Sequence, residues 1–525
     1  MKSKKYISKE VKIGNLLIGN NNPIKIQSMT NTDTLDIEKT TSQIMNLSDH
    51  GCDIVRLTVQ GISQAYACEN IKNILLKKGY DIPLVADIHF FPKAAIIVSD
   101  FVEKVRINPG NYAEKRANYK KNNFTKEEYL QSLKITEEKF LPLIDKLKKN
   151  KVALRIGVNH GSLSDRIMSK YGNTKEGMVE SAIEYAKICV KHNFHSIVFS
   201  MKSSNVKVMI EAYRLLVFEL IKENLNYPLH LGVTEAGEGL DGEVRSAIGI
   251  GSLLLDGIGD TIRVSLTNDP IEEINPAYEI SKIKEKYKDY KSINISKDNK
   301  NSILAVDIND NNANKNIDFK VDPKDSSFLF LEDIEVIEKK YKNHEYIIYT
   351  PIFPIHKNIR ELFQKLEDKK INTKILLNTN NLKYSLENIA ILGSLLIDGI
   401  IDGIFTNGDD LDIVLNIMQA SRKRNSKTEF ISCPSCGRTL FDIQKVVLKL
   451  KKEFSNIPNL KIAVMGCIVN GIGEMQDAEF GYVGAGKDLV DLYVNQKVIK
   501  KNILSKDAFF ELKNLIEKKY GTKAL

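Results

Sequence analysis

The chain has 525 residues, of which 42% are hydrophobic and 27% charged, and its formal net charge is +9. This length predicts more than one domain. No apolar run reaches the roughly 18 residues that span a membrane, and the basic N-terminus lacks the apolar core of a secretory signal. We therefore expect a cytoplasmic protein with no membrane partner.

The positive charge does not by itself predict nucleic-acid binding. No basic run is interleaved with aromatic side chains, and lysine-rich helices are typical of solvated surfaces. Arginine is scarce, with twelve in the chain, so its positions are the more informative signal. Cys52, Cys68 and Cys189 lie in apolar segments that are typical of buried core, which argues against disulfides.

A short apolar strand followed by an amphipathic helical stretch recurs through residues 1–285. The predicted strands are 24–28, 53–58, 84–89, 104–108, 153–159, 196–202, 230–235 and 261–265. Eight strands alternating with helices predict a (β/α)8 TIM barrel of the α/β class. The alternative is an open doubly wound sheet, which usually has fewer strands and often a glycine-rich first turn; QSMTNTDT contains no glycine.

The active sites of such barrels lie at the C-terminal ends of the strands. Four of the twelve arginines fall there, and convergent arginines suit a phosphate or diphosphate, so we predict a small, strongly anionic substrate. Asp87, His89 and Glu235 stand where they could exchange protons, although each alone could equally be structural. The predicted binding residues are Arg56, Arg106, Asn108, Arg155, Asn159, Lys202, Thr234, Arg263 and Ser265.

Residues 286–420 are predicted to form an inserted second β/α domain. Residues 286–300 have the composition of a linker, and apolar strands return at 345–349, 374–378 and 404–407. GSLLLDGIGDTI at 251–262 is repeated as GSLLIDGIIDGI at 393–404, which indicates a partial copy of the barrel's last βα unit. We expect this domain to be a spacer without catalytic residues.

Residues 421–525 are predicted to form an α+β domain that carries a metal centre. The patterns predict a helix at 440–454, a strand at 461–465, a hairpin over 480–494 and a terminal helix at 507–518. GYVGAGKD lies in the hairpin and is superficially similar to a phosphate loop, but Asp488 occupies the Ser/Thr position, so we interpret it as a β-turn.

Three cysteines of this domain have the spacing of metal or cluster ligands. Cys433 and Cys436 form Cys-x-x-Cys, and Cys467 follows about thirty residues later. No fourth cysteine follows and the last histidine is His356, so Glu474, after a flexible turn at 470–473, is the nearest candidate for the fourth ligand. A structural zinc site is the alternative, but such sites almost always have four Cys or His ligands.

The motifs ISCPSCGRT, GCIVNGIGE, KVRINPGN, LRIGVNHGS and GVTEAGEG together resemble the (E)-4-hydroxy-3-methylbut-2-enyl diphosphate synthase family of the methylerythritol phosphate route to isoprenoids. The resemblance covers the barrel and the C-terminal domain, and the middle segment is similar to the extra domain of the family's long form. It implies a [4Fe-4S] cluster held by Cys433, Cys436, Cys467 and Glu474. It also implies two-electron ring opening and dehydroxylation of 2-C-methyl-D-erythritol 2,4-cyclodiphosphate.

The resemblance further implies that Glu235 protonates the leaving oxygen. It also implies that the diphosphate is held by Arg56, Arg106, Asn108, Arg155, Lys202, Arg263 and Ser265. Ile472 departs from the family, which usually has Pro there, so we expect a less rigid Glu474 loop. The barrel has no dinucleotide fingerprint, so we expect a flavodoxin or ferredoxin as electron donor. A homodimer is left open, while the spacer favours closure of the cluster domain on its own barrel.

Two other hypotheses remain at this stage. The first is a metal-independent, diphosphate-binding barrel of the pterin-synthase type with a zinc-stabilised tail. The second is a non-catalytic zinc ribbon that binds nucleic acid through lysines, for which strongly salt-dependent binding would be the evidence. The second leaves the arginines at the strand ends unexplained.

Overall fold

The computed structural model describes residues 6–114, 123–267, 269–288, 302–307, 310 and 316–521. Three large sheets follow one another along the chain after a small N-terminal hairpin. Within the described residues, no helix has both the length and the apolar content needed to cross a bilayer.

The N-terminal hairpin was not predicted from the sequence. Its antiparallel strands are β1 (Val11–Ile13) and β2 (Leu16–Ile18). Their apolar side chains pack against residues near the starts of the barrel strands, among them Ile54 and Val85. The hairpin therefore covers the barrel at the end opposite the predicted active site.

Eight parallel strands, each followed by helical structure, confirm the predicted (β/α)8 barrel. The strands are β3 (Lys25–Met29), β4 (Ile54–Val59), β5 (Leu84–Ile88), β6 (Lys104–Ile107), β7 (Ala153–Asn159), β8 (Ile197–Lys202), β9 (His230–Leu231) and β10 (Thr261–Ile262). The helices are α1 (Ile37–Asp49), α2 (Ile62–Lys77), α3 (Pro92–Val98), α4 (Lys126–Asn150), α5 (Asp165–Tyr171), α6 (Lys175–Lys191), α7 (Val206–Lys222), α8 (Gly239–Leu255) and α9 (Ile274–Lys286).

The last two barrel strands are shorter than predicted. A parallel bridge between Phe199 and Leu229 joins β8 to the segment before β9 and closes the barrel. Beyond Leu231 the chain leaves the sheet, and Glu235 adopts a left-handed conformation with a φ of 50°. This conformation is uncommon for a residue with a side chain and ends the extended run, so the residues predicted as strand become the rim of the barrel mouth.

The middle segment forms a six-stranded, fully parallel open sheet in the order β12-β11-β16-β15-β14-β13. Its strands are β11 (Ile303–Asp307), β12 (Phe319–Val321), β13 (Phe328–Leu331), β14 (Tyr346–Tyr349), β15 (Lys374–Asn378) and β16 (Gly403–Thr406). Its helices are α10 (Ile337–Lys340), α11 (Ile355–Asp368), α12 (Leu386–Ile397) and α13 (Leu411–Ala420). Residues 289–300 of the predicted linker lie outside the described residues.

The two copies of the internal repeat pack against each other. Gly251 lies in α8 of the barrel and Gly393 at the equivalent position in α12. A Cβ on Gly251 would come within 2.4 Å of the Ala390 Cβ, and one on Gly393 within 2.4 Å of Ile248. Each repeat glycine thus permits a close helix–helix approach, and α8 and α12 join the barrel to the middle sheet.

The C-terminal segment forms a mixed five-stranded sheet in the order β17-β18-β19-β20-β21, with its first three strands parallel. The strands are β17 (Glu429–Ser432), β18 (Lys461–Met465), β19 (Phe480–Gly486), β20 (Leu489–Val494) and β21 (Lys497–Leu504). The helices are α14 (Ile443–Phe454), α15 (Ile468–Glu474) and α16 (Ser505–Tyr520). The β19–β20 hairpin agrees with the interpretation of GYVGAGKD as a turn, whereas β21 was missed.

The prediction of a flexible turn at 470–473 is wrong, because these residues lie in α15. Glycine costs a helix about 1 kcal/mol relative to alanine, so the local sequence favours a turn. A Cβ on Gly161 of the barrel would meet the backbone of Gly473 at 2.3 Å. This close backbone approach is a tertiary contact that local propensity does not include.

Candidate active site

A cavity of about 750 Å³ lies between the C-terminal ends of the barrel strands and the C-terminal domain. Fourteen of the sixteen predicted site residues line it. Ten come from the barrel, namely Arg56, Asp87, Arg106, Arg155, Asn159, Lys202, Thr234, Glu235, Arg263 and Ser265, and four from the C-terminal domain, namely Cys433, Cys436, Cys467 and Glu474. Residues far apart in the chain therefore line one cavity.

The structure does not bring His89 and Asn108 to this cavity. His89 follows the end of β5, where its Nε2 lies 2.5 Å from Arg106 Nη1 and its Nδ1 lies 3.1 Å from Asn111 Nδ2. Burial lowers the pKa of His89 to about 3, so the ring is neutral at physiological pH. The Asn108 amide donates to Ser162 Oγ and accepts from the Gly110 N–H, which fixes two loops.

Asp87 connects the barrel to the C-terminal domain. One of its oxygens accepts from Arg106 Nη1 at 2.9 Å and the other from Arg438 Nη2 at 3.0 Å. Burial would raise the pKa of Asp87, but Arg106, Arg56 and other neighbouring cations hold it well below its usual range. Asp87 is thus a fixed anion at neutral pH and not a proton donor.

Arg438 is a cavity residue that the sequence analysis missed. It stands two positions after Cys436, and its place beside the Cys-x-x-Cys motif in an arginine-poor chain is the signal that could have found it. Its Nε and Nη1 have no hydrogen-bond partner among the described residues. Burial would lower the pKa of Arg438, yet Cys436, Asp87 and Cys467 raise it.

The cavity has an excess of positive charge, with six cationic side chains and three carboxylates in its lining. Arg155 is 1% exposed, and neither its Nε nor its Nη1 has a partner among the described residues. Burial, followed by repulsion from neighbouring arginines, lowers the pKa of both Arg155 and Lys202. Because unpaired buried cations are costly, an anion bound among them would be stabilising.

Arg56 and Arg263 flank this region with different partners. Arg263 donates to both oxygens of Glu273, at 3.0 and 2.9 Å, which fixes its guanidinium group. Arg56 Nε lies 3.0 Å from the sulfur of Met29, a weak acceptor, so its charge remains available to a ligand. Burial lowers the pKa of Arg56 to about 10, which still leaves it charged at neutral pH.

Glu235 and Glu474 approach each other across the cavity and share a hydrogen bond. Burial, with the charge of Glu474 as a second cause, raises the pKa of Glu235 well above its usual range. The other Glu235 oxygen, Oε2, has no partner among the described residues. A protonated Glu235 can therefore donate a proton into the cavity.

Several contacts close the C-terminal domain over the barrel of the same chain. Asn159 Nδ2 donates to Glu474 Oε1 at 2.6 Å, and its Oδ1 accepts from Arg106. A parallel bridge joins Ala236 to Ser432, and Arg245 donates to the Phe430 carbonyl. The cysteine-bearing end of the C-terminal sheet therefore faces the barrel mouth.

The three cysteines and Glu474 fit an iron–sulfur cluster. Burial raises the pKa of Cys433 and Cys467, so their thiolate forms need nearby positive charge, which bound metal would supply. In the described ranges, no three His, Cys, Asp or Glu side chains are grouped to bind a single ion. A cluster binds each ligand through a separate iron and tolerates wider spacing.

Fold and site together define a class of protein, a (β/α)8 barrel whose cationic cavity is closed by a three-cysteine C-terminal domain. Residues 8–278 match the model of the GcpE TIM-barrel domain, and residues 429–518 match that of the GcpE protein C-terminal domain. These matches cover more than half of the chain, which therefore belongs to the GcpE family.

Curated relatives align over nearly the whole chain. A protein of Protochlamydia amoebophila is 41% identical over 96% of this chain and 95% of its own, and one of Chlamydia muridarum is 43% identical over 97% and 96%. Both are named 4-hydroxy-3-methylbut-2-en-1-yl diphosphate synthase (flavodoxin). A relative from Arabidopsis thaliana, 36% identical over 97% of this chain and 87% of its own, is named as the chloroplastic ferredoxin enzyme.

Among solved structures, the dihydropteroate synthase of Burkholderia cenocepacia aligns at a TM-score of 0.35 and 9% identity, over 54% of this chain and 98% of that one. A likeness of this strength carries no argument about function.

Proposed function

We propose that this protein is a 4-hydroxy-3-methylbut-2-en-1-yl diphosphate synthase that acts in isoprenoid biosynthesis. It opens the ring of 2-C-methyl-D-erythritol 2,4-cyclodiphosphate and removes one oxygen as water, with two electrons and protons taken up. The observation that carries the proposal is that three cysteines and Glu474 line the same cavity as the cationic strand ends. The names of relatives that align over nearly the full chain support it.

In this proposal the cationic strand ends bind the diphosphate. Arg155 and Lys202 are buried and have depressed pKa values, so an anion relieves their desolvation. Arg106 and Arg155 lie on the neighbouring strands β6 and β7, Arg56 lies on β4, and Arg263 and Ser265 follow β10, so their donors reach the anion from several sides. His89 and Asn108 hold this constellation in place from outside the cavity.

Cys433, Cys436, Cys467 and Glu474 would hold a [4Fe-4S] cluster. When bound, the cluster would supply electrons one at a time to a substrate in the cavity. Asn159 orients Glu474 through a 2.6 Å hydrogen bond. Glu235 holds a proton at the cavity and delivers it to the oxygen that leaves.

Protein purified without oxygen tests the proposal. We expect about four irons and four sulfides per chain, a broad absorbance band near roughly 400 nm, and turnover of the cyclodiphosphate with a one-electron donor such as reduced flavodoxin or ferredoxin. A colourless protein with stoichiometric zinc after anaerobic reconstitution would instead support the barrel with a metal-stabilised tail. Reduction of the protein by NADPH alone would contradict a flavodoxin or ferredoxin donor.

A further inference from the structure

The C-terminal domain carries a groove that is separate from the cavity at the barrel mouth. It lies between the N-terminal ends of α14 and α16 and has a volume of about 940 Å³. We call it the outer groove and define it by Phe441, Lys445, Lys449, Leu504, Lys506 and Phe509. None of these residues lines the cavity at the barrel mouth.

A chain of hydrogen bonds joins a proposed cluster ligand to this groove. The Gly466 N–H donates to Cys433 Sγ at 3.2 Å, and the Gly466 carbonyl accepts from Leu440 N at 3.1 Å. The Leu440 carbonyl then accepts from Asp488 N at 3.2 Å, and the Asp488 carbonyl accepts from Ser505 N at 2.9 Å. Asp488 and Ser505 both line the outer groove, so the path runs from a thiol to the surface.

The fold explains why this path is short. The C-terminal ends of β17, β18, β19 and β21 lie at one edge of the C-terminal sheet, because β20 is the one strand there that runs in the opposite direction. The cysteines follow β17 and β18 at this edge, and α16 starts directly after β21. Phe441 is five residues from Cys436, at most about 18 Å even for extended chain.

The cavity side of the cysteines cannot receive a protein. The barrel covers it through the Asp87–Arg438 and Asn159–Glu474 contacts. A reductant with a folded chain of its own needs an open surface. The outer groove is open, and the hydrogen-bonded path above links it to Cys433.

The outer groove has the charge and apolar surface of a docking site for an acidic protein. Lys445, Lys449 and Lys506 are exposed, and none forms an ion pair among the described residues. The positive ends of two helix dipoles meet there, and α16 has no side-chain cap. Asp442 and Asp488 also lie in the groove. The Asp442 carboxylate accepts a hydrogen bond from the Lys445 N–H as the N-cap of α14.

Exposed apolar side chains lie beside these lysines. Leu448 is 54%, Leu504 47% and Phe510 65% exposed, and Lys449 Nζ stands 5.9 Å from the centre of the Phe509 ring. Apolar surface with a charged rim is the usual composition of a protein interface, and redox encounters need little area.

We infer that the outer groove docks a small acidic one-electron carrier protein and that electrons enter through the Ser505–Asp488–Leu440–Gly466 path to the centre at Cys433. The inference rests on the proposed function, since it assigns the entry point of the electrons that this function consumes. The lysines steer the carrier electrostatically, and the apolar patch supplies close contact.

The test compares two triple variants with the same change of charge. Lys445→Glu, Lys449→Glu and Lys506→Glu alter the groove, whereas Lys77→Glu, Lys78→Glu and Lys149→Glu alter exposed lysines at the opposite end of the barrel. Each holoenzyme is assayed with an acidic flavodoxin as reductant and with dithionite-reduced methyl viologen. The Kd of oxidised flavodoxin is measured by calorimetry on the same preparations.

We expect the groove variant to raise the KM and Kd for flavodoxin about tenfold or more, and to turn over within about twofold of wild type with methyl viologen. The barrel variant should match the wild type in every measurement. The wild-type KM for flavodoxin should rise with salt, and the groove variant should lose most of this dependence.

A groove variant with unchanged KM and Kd for flavodoxin would overturn the inference, as would equal losses in both triple variants. Loss of turnover with methyl viologen and flavodoxin alike, at normal iron content, would also contradict a role confined to docking. A wild type that is inactive with both reductants would speak against the proposed function itself. The calorimetric Kd values would then still decide whether the groove binds the carrier.

Discussion

Single residues of this site take their roles from neighbours that are distant in sequence. Asp87 and Glu235 were both predicted to exchange protons, but their surroundings differ. Asp87 is held anionic by Arg106 and Arg438, whereas burial next to Glu474 favours the protonated form of Glu235. Of the two acids, Glu235 alone has the environment of a proton donor.

Replacing the Glu235 carboxyl by an amide should abolish proton delivery and little else. For Glu235→Gln we expect kcat to fall by about a hundredfold or more, with iron content and substrate affinity unchanged. Glu243→Gln is the matched control, since Glu243 lies on α8 outside the cavity lining. Steady-state kinetics, iron analysis and a substrate-binding titration provide the measurements. Wild-type kcat in Glu235→Gln would exclude the proton-donor role.

Asp398 should stabilise the contact between the middle sheet and the barrel. Burial would raise its pKa, but Arg214 and Arg360 outweigh burial and hold the pKa below its usual range. A depressed carboxyl pKa contributes stability above the unfolded-state value of about 3.9, and this stability is lost as pH falls. Asp398→Asn should cost about 3–5 kcal/mol at pH 7 and progressively less below about pH 4.

Thermal unfolding of the wild type and of Asp398→Asn between pH 7 and pH 3.5 measures how the loss of stability depends on pH. Glu345→Gln, a change next to β14 of the same sheet, is the control. Glu345 forms a solvent-exposed ion pair with Lys374, so its removal should change the unfolding temperature little. A difference between wild type and Asp398→Asn that stays constant with pH would contradict the assignment.

At the scale of elements, the internal repeat forms an interface. α8 and α12 carry equivalent glycines at their closest approach, and the aspartates that follow the two helices, Asp256 and Asp398, both pair with Arg214. From the sequence, the repeat was interpreted as a partial copy of the barrel's last βα unit. The structure adds that the two copies pack against each other through α8 and α12.

Moving one methyl group across this interface tests its packing. In Gly251→Ala the new Cβ would meet the Ala390 Cβ at 2.4 Å, and overpacking of this kind costs about 1–3 kcal/mol. We expect a lowered Tm, even though alanine is the better helix former. Adding Ala390→Gly should restore the Tm, because the methyl group then has space. A raised Tm in Gly251→Ala would show that the helices do not pack this closely.

At the scale of the whole molecule, the C-terminal domain is held over the barrel by ion pairs of different burial. Arg438–Asp87 is almost fully buried, at 8% and 1% side-chain exposure, whereas Lys451–Glu238 is more exposed. Removing one partner of a buried pair leaves an uncompensated charge, while exposed pairs contribute little. The buried pair should therefore control closure.

Arg438→Met should loosen the closed arrangement without unfolding the domain. We expect amide hydrogen exchange over residues 433–439 to become about tenfold faster or more, with α16 unchanged. Lys451→Met, which removes the more exposed pair, should leave exchange near the wild-type rate. Equal protection in Arg438→Met and wild type would mean that this ion pair does not hold the domain in place.

The sequence by itself determined the barrel, the arginines at its strand ends and the set of three cysteines with Glu474. These follow from short-range rules: strand and helix periodicity, and the spacing of chemically distinctive residues. The middle strands at 345–349, 374–378 and 404–407 were found in the same way. The predicted strand ends were least accurate at β9 and β10, because the residues after these short strands form the rim of the cavity and do not pair in the sheet.

Only the tertiary structure decided which of these residues meet. The Asp87–Arg438 pair, the Asn159–Glu474 hydrogen bond and the close approach of Gly161 to Gly473 join positions more than 300 residues apart. The N-terminal hairpin was missed because its apolar strands are short, and α15 because its glycines disfavour helix locally. Such contacts depend on packing across the whole chain, which no local pattern of residues records.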